Sequence, residues 1–264
     1  RVHASELGRG WMQLEDLGDR LLLPALLAAD ASHADALYAP AFEALIALQL
    51  GVDANALPPF DADRLRAEMA LFETWFLGGL LGYEPSAPQR TLLGDAVDFL
   101  SEAALSQPQV AVHRDFHSRN LMLLEDGSLG VIDFQDAVAG AYTYDLVSLL
   151  RDCYVSWPAP RVQAWALQFH AQLAARLPAA AQRSPAQFLR DFDLMGLQRH
   201  LKVMGIFARL HLRDNKSAYL ADIPLVMDYF STVARQHAEL AELSAWFDAE
   251  VGPRAAAALA LHGR

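Results

Sequence analysis

The hydrophobic period changes in the middle of this 264-residue chain, and this change limits the fold more than any other feature. Apolar residues recur at helical spacing on both sides of the change, in segments 32–50, 62–76, 91–105, 144–155, 161–177, 185–212 and 224–237. Between them, the apolar runs 109–112, 121–124 and 129–132 have the composition of short strands. Asp126-Gly127 favours a tight turn between the last two runs. We therefore predict a mainly α fold with a small β hairpin.

Three other segments add detail to this prediction. Residues 10–14 combine aromatic and aliphatic side chains after turn residues and have the pattern of a strand. Asp61 is placed to cap the helix that follows the Pro58-Pro59 break. Residues 188–210 are apolar on most sides, which predicts a buried central helix.

Composition excludes several functional classes. The chain has 21 basic and 32 acidic residues and a net charge of −11, without the basic stripes of a general nucleic-acid binder. Its single cysteine, Cys153, excludes a disulfide framework and a multi-cysteine zinc site. The longest apolar stretch near the start, 21–29, is too short to cross a bilayer. We expect a soluble cytoplasmic protein without a leader, a membrane partner or a nucleic-acid partner.

The most polar segment, residues 113–120, lies between the first two predicted strands. Its Asp115 and Asn120, together with Asp133 after the third strand, stand at the ends of neighbouring strands, so we expect them to converge. Carboxylate and amide oxygens suit Mg²⁺ better than zinc. An aspartate in such a loop can also accept a proton from a substrate hydroxyl.

The spacing of these residues matches known motifs. His113-x-Asp115 with Asn120, followed by Asp133-Phe134, fits the catalytic-loop and metal-aspartate patterns of kinases. We interpret His113 as structural support that bonds the loop backbone, and Asp145 as a cap or brace of the next helix.

An alternative is a hydrolase metal cluster. His113, Asp115 and His117, completed by His200 or His211, have the residue types of a zinc site. This interpretation leaves Asn120 and Asp133 without a role, so we rank it below the kinase interpretation.

These residues resemble the aminoglycoside phosphotransferase-like family of small-molecule kinases over most of the chain. Segment 113–120 is similar to the family's catalytic loop, 131–137 to its metal-binding segment, and 12–18 to the end of its N-lobe sheet and the hinge. The resemblance implies the C-terminal lobe of the protein-kinase-like fold. On this basis, residues 1–20 are a remnant of the N-lobe sheet and hinge, and residues 21–264 form a helical C-lobe with the catalytic loop and substrate site.

Within the family, segments 131–140, 145–154 and 196–203 look like the bacterial cell-wall sugar kinases, which phosphorylate the anomeric hydroxyl of N-acetylmuramate and N-acetylglucosamine. The resemblance implies ATP and Mg²⁺ as cofactors, with Asp115 as catalytic base and Asn120 and Asp133 as metal ligands. It implies adenine contacts by the backbone of Leu14, Glu15 and Asp16. The candidate contacts for the sugar or its carboxylate are His117, Arg119, Asp136, Arg151, Arg199 and His200.

The chain departs from the family pattern at its start. The family has a glycine-rich phosphate loop and a strand lysine before the hinge, whereas the first lysine here is Lys202. We therefore expect the N-lobe to be largely absent from this chain, which alone would bind ATP weakly and turn over poorly. The alternative functions are a kinase for an aminoglycoside or another hydroxyl compound, and a catalytically silent truncated binding module.

Overall fold

The computed structural model describes residues 2–262. Arg1 of the predicted segment 1–20, and Gly263 and Arg264 of the predicted segment 21–264, lie outside the described residues. The α-helices of this part are α1 (Leu22–Ala28), α2 (Ala31–Gly51), α3 (Ala62–Leu71), α4 (Ala87–Leu105), α5 (Tyr144–Leu150), α6 (Ala159–Ala174), α7 (Pro178–Ala181), α8 (Pro185–Asp214), α9 (Ile223–Ala234), α10 (Ala241–Trp246) and α11 (Gly252–His262). A π-helical segment, Phe72–Leu80, continues α3. Among these helices, none combines the length and apolar character needed to span a membrane.

The strands form three small antiparallel pairs. They are β1 (Val2–Glu6) with β2 (Trp11–Leu14), β3 (Gln109–Val112) with β6 (Val138–Ala141), and β4 (Leu121–Leu123) with β5 (Leu129–Val131). The mainly helical fold with a small hairpin is thus confirmed. Strands β1 and β6 were not expected. The β6 sequence Val-Ala-Gly-Ala has little strand propensity of its own, and its pairing with β3 supplies the order.

The predicted hairpin turn is confirmed. Gly127 has φ +82°, a conformation that glycine adopts without steric cost. Asp126 Oδ1 accepts the Ser128 N–H at 2.9 Å. In the register of this pair, Leu121 lies opposite Val131 and Leu123 opposite Leu129. The residues that precede β4 and those that follow β5 therefore lie side by side.

Helix α8 is the buried centre of the helical body, as its all-round apolar pattern predicts. Its buried residues run from Phe188 to Ala208, and it contacts α3, α4, α5, α6 and α9. The predicted cap of α3 is also present, because Asp61 Oδ1 accepts the Arg64 N–H at 3.0 Å.

The predicted helix over 144–155 is wrong at its end, because α5 stops at Leu150. The buried Asp152 carboxylate accepts the Ser118 N–H at 2.9 Å and the Tyr154 N–H at 3.1 Å. The chain leaves helical geometry here and carries this carboxylate to the polar loop.

The segment after β2 lies along the hairpin. The Arg20 carbonyl accepts the Leu123 N–H at 2.7 Å, and the Ser118 carbonyl accepts the Leu23 N–H at 3.1 Å. Leu17 covers Gly130 so closely that a Cβ there would lie 2.8 Å from a Leu17 methyl carbon. Residues 14–16 are therefore held close to the hairpin.

The close approach of α8 to the end of α3 predicts a strong stability effect. A Cβ on Gly205 would lie 2.4 Å from the Leu71 carbonyl carbon, which is backbone and cannot rotate away. We expect Gly205→Ala to lower the free energy of unfolding by about 1–3 kcal/mol or more, measured in urea.

Gly94→Ala is the matched control within a helix. No heavy atom of a neighbour lies within 4 Å of its added Cβ, so we expect a gain of about 0.5–1 kcal/mol from helix propensity. Equal stability of the two variants would contradict the close approach at Gly205.

Candidate active site

The polar loop between β3 and β4 is folded by short-range backbone hydrogen bonds. The Asp115 carbonyl accepts the His117 N–H at 3.0 Å, and the His117 carbonyl accepts the Asn120 N–H at 2.9 Å. Arg114 has φ +76°, which is uncommon for a residue with a side chain. The loop turns sharply at Asp115 and leaves the carboxylate half-buried at its edge.

The structure brings Asp115, Asn120 and Asp133 together. Asn120 Nδ2 lies 3.1 Å from the Asp115 carbonyl oxygen and 3.5 Å from Asp133 Oδ2. The Asn120 carbonyl accepts the Ile132 N–H at 3.1 Å, which ties the loop to the end of the hairpin. Asp133 has φ +70°, and such a conformation persists where its surroundings hold it. The chemical roles of these residues stay predictions.

The donor set at this corner fits magnesium. The contacts of Asn120 use its amide nitrogen, which leaves the amide oxygen for a cation. The Asp133 carboxylate is exposed, and Gln135 Nε2 donates to its Oδ1 at 3.0 Å. Mg²⁺ is commonly held by one or two such protein oxygens together with substrate phosphates and water.

The zinc alternative lacks its cluster. Within residues 2–262, no three His, Cys, Asp or Glu side chains form a group that could hold a metal ion. His113, Asp115 and His117 are therefore not assembled with His200 or His211 as a hydrolase zinc site requires.

Two buried carboxylates accept hydrogen bonds from the backbone of the loop. Asp145 Oδ2 accepts the His113 N–H at 2.7 Å, and its Oδ1 accepts the Arg114 N–H at 3.0 Å. Asp152 holds the other end through the Ser118 N–H at 2.9 Å. Asp145 was predicted from the sequence to brace this region, whereas Asp152 was not, because only the tertiary fold carries Asp152 back to the loop.

Burial shifts the titration of groups around the loop. It raises the pKa of Asp145 to about 7, against the opposite effect of the N–H donors of His113 and Arg114. Burial lowers the pKa of His113 and of His117. Both imidazoles are therefore neutral at pH 7. Neither ring nitrogen of the buried His113 has a hydrogen-bond partner among the described residues, so the predicted bond from its side chain to the loop backbone is not found.

Some of the predicted sugar contacts lie beside the loop. The His117 ring meets the Tyr154 ring edge-on, with centroids 5.6 Å apart. The Arg119 guanidinium also stacks on the Tyr154 ring, 3.6 Å from its centroid. Asp136 is exposed and lines a cavity next to the loop.

Of the six predicted sugar contacts, the structure brings only Asp136 to the lining of this cavity, and His117 and Arg119 stay on the loop outside it. Arg151 forms an ion pair with Asp193 inside the helical body. Arg199 is buried, and its Nε donates to Ser148 Oγ at 2.6 Å. His200 is fully buried on α8 and lies away from the cavity. Their sequence neighbourhood suggested sugar contacts, whereas α8 turns Arg199 and His200 into the core, and Arg151, which follows α5, pairs with Asp193.

The buried His200 predicts a pH-dependent stability change. Burial holds the pKa of His200 well below its ordinary value, and both ring nitrogens lack a hydrogen-bond partner among the described residues. Its ring stacks on Tyr229, with centroids 5.4 Å apart. Unfolding frees the imidazole to take up a proton, so its contribution to stability is lost as the pH falls below about 6.5.

We expect His200→Phe, which keeps the stacking and removes the orphaned nitrogens, to be at least as stable as the wild type at pH 7.5. Relative to the wild type it should gain up to about 1.4 kcal/mol per pH unit below about pH 6.5. Urea unfolding of both proteins between pH 8 and pH 5 measures this difference. Parallel stability curves would contradict a buried neutral imidazole.

The predicted adenine contacts begin at Leu14, the last residue of β2, and continue into the turn that follows it. Leu14, Glu15 and Asp16 are exposed, and Asp16 Oδ1 accepts the Gly18 N–H at 2.9 Å in a short turn. The packing of Leu17 on Gly130 places this turn beside the hairpin. Their contact with adenine stays a prediction.

A cavity of about 510 Å³ lies beside the loop, between α3, α8 and the segment that follows β5. Its charged lining residues other than Asp136 were not predicted from the sequence as site residues. They are Arg64, Glu68, Arg114, Lys202 and Arg209. A signal was available, because Arg64 and Glu68 are four residues apart and Lys202 and Arg209 are seven apart. Each pair therefore shares one helix face.

Residues 1–183 match the family described as the phosphotransferase enzyme family. The chain is 44% identical over 243 residues to an N-acetylmuramate/N-acetylglucosamine kinase of Pseudomonas aeruginosa, covering 92% of this chain and 70% of that protein. It is 43% identical over 238 residues to the protein of the same name in Neisseria meningitidis, covering 89% and 70%.

Solved structures share the fold. A choline kinase from Streptococcus pneumoniae superposes with a TM-score of 0.57 at 11% identity, over 88% of this chain and 74% of that one. The ADP-bound aminoglycoside phosphotransferase APH(2'')-Ib superposes with a TM-score of 0.50 at 15% identity, over 83% and 72%. At these identities the likeness concerns the fold alone.

Proposed function

Since the chain belongs to the phosphotransferase enzyme family, we propose that it acts as an ATP-dependent kinase for the anomeric hydroxyl of N-acetylmuramate and N-acetylglucosamine. The relatives at 43–44% identity that carry this kinase name support the substrate class. The observation that carries the proposal is the shared corner of Asp115, Asn120 and Asp133 beside a cavity of about 510 Å³.

Asp115 is the proposed general base. The anomeric hydroxyl is more acidic than an ordinary alcohol, so a carboxylate is a sufficient acceptor for its proton. As that proton passes to Asp115, the sugar oxygen bonds to the γ-phosphorus of ATP. The bond from this phosphorus to the β–γ bridging oxygen breaks, and ADP leaves.

Asn120 and Asp133 are the proposed metal ligands, and the family implies Mg²⁺. When bound, the ion would neutralise charge on the phosphate oxygens during transfer. The protein fixes the positions of the two ligand residues. The Ile132 N–H donates to the Asn120 carbonyl, and Gln135 Nε2 donates to Asp133 Oδ1. Alignment of this kind supplies much of the rate gain in phosphoryl transfer.

The nucleotide and the sugar approach the corner from different sides. We assign the backbone of Leu14, Glu15 and Asp16 to adenine, since Leu17 packs on Gly130, three residues before Asp133 in the sequence. We assign the sugar to the cavity, with Asp136 as an acceptor for one of its hydroxyls. Arg114, which precedes Asp115 in the sequence, and Gln135, which donates to Asp133 Oδ1, both line this cavity.

The test is ADP release by the full-length protein on N-acetylmuramate, N-acetylglucosamine, the methyl glycoside of N-acetylglucosamine and kanamycin. Turnover of the first two sugars and none of the glycoside, which lacks a free anomeric hydroxyl, is the expected result. Turnover of the glycoside would overturn the anomeric assignment. Turnover of kanamycin alone would favour a drug kinase, and no turnover at all would favour a silent binding module.

A further inference from the structure

The cavity beside the catalytic loop has an excess of positive charge in an acidic protein. Its lining contributes the cationic side chains of Arg64, Arg114, Lys202 and Arg209, against the carboxylates of Glu68 and Asp136. The whole chain has a net charge of −11. The local sign is therefore opposite to that of the whole chain, and it favours an anionic ligand.

Glu68 does not cancel this charge. It forms an ion pair with Arg114, and its Oε1 lies 3.4 Å from Lys202 Nζ. Lys202 Nζ also donates to the Tyr144 hydroxyl at 2.8 Å. One carboxylate is thus shared between two cations, and Arg64 and Arg209 are left to face the cavity without it.

Two guanidinium groups in this lining have an unsatisfied donor. The Nε atoms of Arg114 and Arg209 are buried, and neither has a hydrogen-bond partner within residues 2–262. A buried donor without an acceptor is costly, so both guanidinium groups keep hydrogen-bonding capacity that the protein itself does not use. Near Arg209, the Asp214 carboxylate is already bonded by Arg213 at 2.7 and 3.0 Å.

We propose that Arg209 on α8 and Arg64 on α3, which line the same cavity, form a carboxylate subsite that binds the lactyl group of N-acetylmuramate. This inference rests on the proposed function. N-acetylglucosamine has the same ring and acetamido group but lacks the lactyl carboxylate. A guanidinium binds a carboxylate with paired hydrogen bonds, so the subsite makes a contact with one substrate that the other cannot make.

Helix geometry supports this assignment of Arg209. It follows Gly205 by one turn on α8, and Gly205 lies against Leu71 at the end of α3. Leu71 and Ile206 both line the cavity, so the two helices form its walls. Arg64 lies on the same wall as Leu71, nearly two turns earlier.

The experiment compares kcat/KM for the two sugars in the full-length protein and in Arg209→Gln and Arg64→Gln. We expect Arg209→Gln to lower the ratio of N-acetylmuramate to N-acetylglucosamine by about 10-fold or more, mainly through KM for N-acetylmuramate. Arg64→Gln should act in the same direction with a smaller loss. Because Arg64 is exposed, this variant tests the subsite even if Arg209→Gln folds poorly.

Arg66→Gln is the matched control on α3. Arg66 is exposed and pairs with Asp98 at 2.8 Å outside the cavity, so the ratio should not change. An unchanged ratio in both Arg64→Gln and Arg209→Gln would overturn the subsite. An equal loss on both sugars, or a rise confined to KM for ATP, would also overturn it.

Calorimetric binding of N-acetylmuramate separates this inference from the proposed function. If the wild type binds the sugar without phosphorylating it, and Arg209→Gln weakens that binding, the proposed function fails while the subsite stands. If the wild type phosphorylates both sugars and the variants keep its preference, the proposed function stands while the subsite fails. If the wild type does not bind the sugar, the subsite is overturned.

Discussion

Asp115→Asn is expected to lower kcat by about 10²–10⁴-fold, because the amide cannot accept the proton of the attacking hydroxyl. The loop should keep its shape. The His117 backbone N–H and the Asn120 side-chain Nδ2 both donate to the Asp115 carbonyl, which the substitution leaves in place. KM for the sugar and the thermal midpoint should therefore change little, so that the loss concentrates in kcat.

Glu125→Gln is the control for this variant, since it removes an exposed carboxylate from the nearby hairpin turn. Steady-state ADP release on N-acetylmuramate measures both proteins. Glu125→Gln should match the wild type. Undiminished turnover by Asp115→Asn would exclude Asp115 as the base.

Asp133→Asn is expected to raise the Mg²⁺ concentration for half-maximal turnover by at least about 100-fold. The variant removes a charged oxygen ligand and keeps an oxygen that can accept from Gln135 Nε2, as Asp133 Oδ1 does at 3.0 Å. The φ of +70° at this position is tolerated better by Asn than by most residues. The fold should therefore survive, and the change should appear in metal dependence.

A magnesium titration at saturating ATP and sugar gives this constant directly. Asp136→Asn is a useful comparison, because Asp136 is proposed to contact the sugar, so its effect should appear in KM for the sugar. If Asp133→Asn keeps the wild-type magnesium dependence, Asp133 is not a metal ligand.

Local chemistry explains what could be predicted from the sequence. The hairpin follows from alternating apolar runs and from Asp126-Gly127, whose turn depends on adjacent residues. Asp115 follows β3, Asn120 directly precedes β4, and Asp133 follows β5. The three residues therefore converge where these strands begin or end. Short sequence separation made this part of the candidate site predictable.

Long-range contacts explain what could not be predicted. Asp152 acts on Ser118 from 34 residues away, and the end of α5 depends on that contact rather than on local propensity. Arg199 and His200 have the chemistry of sugar contacts, but the packing of α8 on α5 and α9 sets the direction in which they point. Similarly, Arg64 and Arg209 share a cavity only because α3 and α8 meet at Leu71 and Gly205.

That meeting point also limits how ligand selectivity can evolve. Where two helices touch through backbone atoms, shortening a neighbouring side chain cannot bring them closer, and lengthening Gly205 drives them apart. Paralogues that act on a bulkier substrate must therefore differ in the side chains that line the cavity, such as those at positions 64, 206 and 209, rather than in the distance between α3 and α8. A change at position 205 would instead mark a lineage in which α3 and α8 have moved relative to each other.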